Sequence, residues 1–144
     1  MEAKKILVPV DFSHTGDIAL EYAASLAKEK QGQLLIVHVQ ELASAYGGEM
    51  YYGIPEPSVD ELTSMLHDVK PADATVAVEY RLLSGDPAYE VVRLADAEQV
   101  DLIVVGSHGR TGMSRVLMGS VAEAIVRQAH CPVLVCKHKP VAVA

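Results

Sequence analysis

Four apolar residues in a row, Leu102-Ile103-Val104-Val105, stand immediately before Gly106. A strand with no polar face has to be covered on both sides, which is the condition of a strand inside a parallel sheet. Parallel neighbours cannot be joined by tight turns, so such a sheet needs a long crossover, normally a helix, between each pair of strands. This one run therefore asks for an α/β architecture.

The rest of the chain supplies it. Strand signals fall at 5–10, 34–39, 75–82, 101–105 and 132–137, with helical signals between them. The first helix starts near Thr15, carries Ala19, Tyr22, Ala23, Leu26 and Ala27 at helical spacing, and is expected to stop at Gly32 as its C′ residue. A short second helix opens with Ser58 and Glu61, the pattern of a capping box. The third has Asp86 as N-cap and Pro87 at N1, and buries Ala88, Val91, Val92 and Ala95. The last is expected to begin at Ser120, again with a glutamate, Glu123, three residues on. In the third strand Val76, Val78, Tyr80 and Leu82 alternate with Ala77, Glu79 and Arg81, which suits a sheet edge. Residues 40–57, with Gly47-Gly48, Gly53, Pro55, Pro57 and three tyrosines, read as a long loop, either a lid or disordered.

At 144 residues, half of them apolar, the chain is one domain spanning 1–144. A net charge of −7 argues against nucleic acid as a partner. No run approaches a membrane span, and a charged start precedes only a short apolar strand, so a cytoplasmic protein is expected. Cys131 and Cys136 fall at opposite ends of the last strand, about 16 Å apart at ~3.3 Å per residue, too far for a disulfide. They also differ in parity, which sets them on opposite faces and argues against a shared zinc.

Against that acidic background, the stretch from Leu102 to Ala122 contains no carboxylate and holds Arg110 and Arg115. A strand, a glycine-punctuated loop and a helix start together converge backbone N–H groups on an anion. The P-loop pattern fails in every register from Gly106, Gly109 or Gly112, and the dinucleotide pattern fails because His108 and Thr111 stand where its second glycine belongs. What remains is Gly106-x2-Gly109-x9-Gly119-Ser120.

That spacing resembles the nucleotide signature of the universal stress protein family, in its ATP-binding branch. The likeness extends to the opening Lys5-Ile6-Leu7-Val8-Pro9-Val10-Asp11-Phe12-Ser13, to Val37-His38-Val39 and to Cys131-Pro132-Val133-Leu134-Val135, in order along nearly the whole chain. The resemblance implies a doubly wound open parallel sheet of five strands, order 3-2-1-4-5, with helices on both faces. The site would lie at the switch point between strands 1 and 4, where such sheets bind ligands. It further implies ATP, or its relatives AMP and ADP, with Mg²⁺ or Mn²⁺, and a homodimer through the last strand.

The residues themselves fit such a site. Asp11 ends an apolar strand at the same sheet edge as the glycine loop; it can accept from a ribose hydroxyl or an adenine amine, help hold a cation, or close an Asx-turn. Pro9 and Val10 beside it offer backbone and an apolar wall, and the resemblance puts Pro9 and Val39 near the base. Gly106 and Gly109 allow close approach of the backbone to phosphate. Gly119 leaves the helix start open, and the Ser120 hydroxyl can cap that helix or donate to phosphate. His108 and Arg110 can meet phosphate or remain solvated, and Val105 and Val121 flank the two glycine segments.

No catalytic set and no metal cluster emerges, and the loop lacks the lysine that offsets charge in fast phosphoryl transfer. Binding is therefore favoured over turnover, with an unidentified protein partner. A slow ATPase in the same pocket and a nucleotide-free dimeric scaffold are the alternatives.

Overall fold

The computed structural model describes residues 3–12, 15–41, 57–107 and 118–137. Along the chain run β1 (Lys5–Pro9), α1 (Thr15–Glu29), β2 (Gln33–Gln40), α2 (Val59–His67), β3 (Ala77–Ser84), α3 (Pro87–Ala97), β4 (Leu102–Gly106), α4 (Ser120–Gln128) and β5 (Val133–Cys136). The strands form one sheet in the order β3-β2-β1-β4-β5, every pair parallel: the parallel sheet is the one read from the sequence pattern, and the order is the one the family resemblance implies. The expected loop at 40–57 lies outside the described residues, apart from its ends.

Side-chain alternation divides the sheet into two cores. Ile6, Val8, Leu34, Ile36, Leu102 and Val104 pack on one face with α1 and with Leu66 of α2. Leu7, Leu35, Val37, Val39, Ile103 and Val105 pack on the other with α3 and α4, through Val91, Ala95, Ala122 and Ile125. Cys136 belongs to the first core and Cys131 packs against the second, so the two free thiols do lie on opposite faces. Burial raises the pKa of both.

Four local expectations need correction. Tyr22 of α1 is 48% exposed, because the buried stripe of that helix consists of Ala19, Leu20, Ala23, Ala24 and Ala27, and Tyr22 falls beside it. β3 starts two residues later than expected, because Thr75 is held in a turn by Asp73, whose carboxylate accepts from the Thr75 backbone N–H at 2.9 Å and from its hydroxyl. It still forms the sheet edge, with Val78, Tyr80 and Leu82 turned to the α1/α2 core.

At the end of α1 the left-handed residue is Gln31 (φ 51°), not Gly32. Gly32 donates to Ala27 O at 2.8 Å and Gln31 to Lys28 O at 3.2 Å, the pair of bonds that defines a Schellman ending with Gly32 at C″. The same ending recurs at α3, where Gln99 (φ 51°) is followed by Val100 bonded to Ala95 O at 3.0 Å. Finally, the N-cap of α4 is Gly119, not Ser120, and it provides no side-chain bond. Glu123 donates its backbone N–H to Gly119 O, and its side chain turns to Arg127, one helical turn on. The other two starts are as expected, with Ser58 and Asp86 accepting from Glu61 N and Tyr89 N.

The edge of the sheet where the strands begin is tied together. The Asp101 carboxylate accepts from the backbone N–H groups of Lys4 and Lys5, at 3.1 and 2.9 Å, while Asp101 N donates to Lys5 O. Glu98 joins Lys5 to Arg81 by ion pairs at 3.2 and 2.9 Å, and its carboxyl titrates below its ordinary range because of Lys5 first and then Arg81.

Candidate functional site

The opposite edge is looser. β1 matches β2 through five residues, ending at Pro9 and Val37, but it matches β4 only at Ile6↔Leu102 and Leu7↔Ile103. Pro9 explains where that ladder stops. Backbone N–H groups of a strand point alternately to its two neighbours, and the Val10 N–H reaches Val37 O on β2 at 2.8 Å. The preceding nitrogen therefore faces β4, and as a proline it has no hydrogen to give. The two central strands part at the point where the strand order reverses, which is where open α/β sheets have their crevice.

Alternation decides which side of that crevice each residue serves. Val39 and Val105, 8% and 6% exposed, lie in the core shared with α3 and α4, and Pro9 has the parity of Leu7 on the same face. Val10 differs from expectation: its side chain is in the opposite core, and its carbonyl accepts from a histidine of β2. Asp11 is half-buried at the end of β1, and Val121, in the first turn of α4, is 38% exposed.

The two ends of the glycine motif meet. Beyond Gly106, Ser107 N donates to Cys136 O at 2.9 Å, which extends the pairing with β5, and Ser107 O accepts from Gly119 N at 2.6 Å. That last bond brings the start of α4 against the end of β4. Because Gly119 has no side chain to cap the helix, amides of the first turn of α4 are left for another acceptor. Ser120, at N1, has an exposed side chain. His108, Gly109 and Arg110 lie outside the described residues, as does Arg115.

Three residues that matter to this geometry escaped the sequence analysis. Ser107 is 4% exposed, the one polar residue among the described residues that is buried. Its place directly after a strand covered on both faces was the available signal. Phe12 has φ 66°, unusual for a bulky residue, and its ring lies against His38 with centroids 4.4 Å apart. His38 Nδ1 is 2.8 Å from Val10 O. A carbonyl can only accept, so Nδ1 carries the proton.

Among the described residues no group of three or more His, Cys, Asp and Glu could hold a metal ion. None of the described helices is long and apolar enough to cross a membrane.

Fold and crevice define an open, doubly wound α/β domain whose central strands part at the switch point, with an uncapped helix start beside them. Sequence comparison makes the assignment specific. The model of the universal stress protein family matches residues 2–137, and the chain belongs to that family. It is 34% identical over 145 residues to universal stress protein MJ0531 of Methanocaldococcus jannaschii, covering 93% of this chain and 82% of that one. It is 30% identical over 157 residues to MJ0577 of the same organism, covering 94% and 96%. The solved structure of MJ0577 superposes with a TM-score of 0.78 at 31% identity over 96% of this chain and 99% of that one. A universal stress protein from Archaeoglobus fulgidus, solved in complex with dAMP, has the same fold (TM-score 0.65, 24% identity, 95% of this chain and 100% of that one).

Proposed function

We propose that this protein is a regulator of the stress response that binds an adenine nucleotide, ATP first, in the crevice between β1 and β4. The observation that carries the reading is the Ser107–Gly119 bond, which sets the uncapped start of α4 against the end of β4 in a stretch without carboxylates. Amides of a helix start beside a glycine-rich turn are complementary to phosphate. The adenine nucleotide held by the Archaeoglobus relative supports the base.

In this reading Gly106, Gly109, Gly119 and Ser120 receive the phosphates, with His108, Arg110 and Val121 around them. Pro9, Val39 and Val105 line the apolar side, Val10 holds the strand, and Asp11 accepts from the ribose or the base. A divalent cation, Mg²⁺ or Mn²⁺, arrives on the phosphates, since the described residues provide no cluster of their own for it. It would offset phosphate charge beside a helix start whose donors are neutral amides. The role is binding and signalling in the cytoplasm rather than turnover. β5 is an outer strand with Leu134 37% exposed, and pairing with a second copy through that edge would cover it.

The test is to denature freshly purified protein, identify any released nucleotide by chromatography and mass, and titrate ATP calorimetrically with and without Mg²⁺. Adenine nucleotide is expected in the released fraction or as a saturable titration, and Gly109→Val is expected to abolish it in a folded protein. No binding under either condition would overturn the reading in favour of a nucleotide-free scaffold.

A further inference from the structure

We infer that His38 is the positioning residue for Asp11: from the neighbouring strand it holds the residues on both sides of that carboxylate. The inference deepens the nucleotide-binding reading and rests on it for the importance of Asp11.

His38 is the sixth residue of β2, and by alternation it shares the face of Leu34 and Ile36, away from Val37 and Val39. From there it makes two contacts to the turn that follows β1. Its Nδ1–H donates to Val10 O at 2.8 Å, and its ring lies 4.4 Å from the Phe12 ring at an interplanar angle of 38°. Val10 is also held by its own N–H, which donates to Val37 O on the same neighbouring strand. Asp11 is therefore the single residue between two that are fixed by β2.

The backbone of Phe12 shows what this arrangement overcomes. An L-residue in the left-handed region is disfavoured, and a bulky aromatic side chain reaches it when its surroundings over-determine the conformation. Here the surroundings are the His38 ring and the α1/α2 core, against which Phe12 packs. Left-handed backbone at Phe12 bends the chain immediately after Asp11, before α1 begins at Thr15. Without the His38 contacts Phe12 would relax towards negative φ and carry Asp11 with it.

The hydrogen bond and the ring contact separate by substitution. His38→Asn can place an amide N–H near the position of Nδ1 but has no ring; His38→Phe keeps a ring and has no donor. The first readout requires no ligand: the backbone conformation of Phe12, from its Cα chemical shift and three-bond HN–Hα coupling, in the wild type and both variants. His38→Asn, which loses the ring, is expected to lose the left-handed signature at Phe12, and His38→Phe to keep most of it. The same signature in His38→Asn as in the wild type would overturn the positioning role.

The second readout is ATP affinity, measured for His38→Phe alone, Asp11→Ala alone and the two together. His38→Phe is expected to weaken binding about tenfold, the scale of one lost hydrogen bond, and to add less than about twofold once Asp11 is already alanine. Independent, multiplying losses would overturn action through Asp11. If the wild type binds no nucleotide, the nucleotide-binding reading falls, and the Phe12 signature alone decides whether His38 holds the turn.

Discussion

A Cβ added to Gly32 would sit 2.3 Å from the carbonyl oxygen of Lys4. The same oxygen accepts from Gln33 N at 2.7 Å, so the end of α1, the start of β2 and the segment entering β1 converge on one peptide group. No side chain can rotate away from such a contact, since the Cβ position is set by the backbone. Gly32→Ala is expected to destabilise the protein by about 3 kcal/mol, at the upper end of overpacking costs, measured as a fall in urea midpoint. A midpoint within error of the wild type would mean that the α1–β2 junction moves freely.

Glutamine in the left-handed region at Gln31 and Gln99 is a local cost that glycine would remove. Gln99→Gly should stabilise by about 0.5–1 kcal/mol, less than the full αL penalty because glycine also gains freedom in the unfolded chain. Gln31→Gly should do the same. Thermal unfolding reads the effect as a rise of a few degrees.

Gly119 has φ −62° and ψ 152°, an extended conformation open to any residue. Gly119→Asp should therefore cap α4 and raise stability by a few tenths of a kcal/mol, while setting a negative charge and a competing acceptor at the amides proposed for phosphate. Stability up and nucleotide affinity down by at least tenfold is the expected pair. Retained affinity would place the phosphates elsewhere.

Glu98 links Lys5 and Arg81 and titrates below its ordinary value of 4.5 in the folded protein. A depressed carboxyl adds stability above its unfolded pKa and loses that contribution as pH falls through the folded one. The wild type should therefore be more stable than Glu98→Gln near neutral pH, and the gap should close as pH falls below about 4.5. Asp73, lowered chiefly by Lys28, acts in the same direction and remains in both proteins, so neither curve becomes flat. Urea midpoints at about pH 7 and about pH 3 test this; a gap of the same size at both would remove the carboxylate as its cause.

The α/β architecture was legible because β1 and β4 carry apolar residues on both faces, and because the starts at Ser58 and Asp86 use local chemistry. The pairing of Pro9 with Val39 near one ligand was an expectation of the family resemblance alone. What was not legible depends on contacts between distant segments. Ser120, three residues before Glu123, is the better cap by local pattern, and its displacement by Gly119 belongs to the helix start as folded, with Gly119 bonded to Ser107. Gly32 has the composition of a helix stop but is required by Lys4, 28 residues earlier, a proximity that no local pattern encodes. His38 could be assigned a face from parity, yet nothing in Val37-His38-Val39 announces that its nitrogen reaches the exit of a different strand.

The clasp of Asp101 on Lys4 and Lys5 lies at the edge opposite the parting of β1 and β4. Positions 42–56 and 108–117 follow β2 and β4 along the sequence. Lengthening either segment costs little in closure entropy, about 0.6 kcal/mol for each doubling. Such insertions leave untouched the hydrogen bonds that lace the near edge. Length can therefore change after β2 and after β4 while the bonds that hold the strand starts together stay as they are.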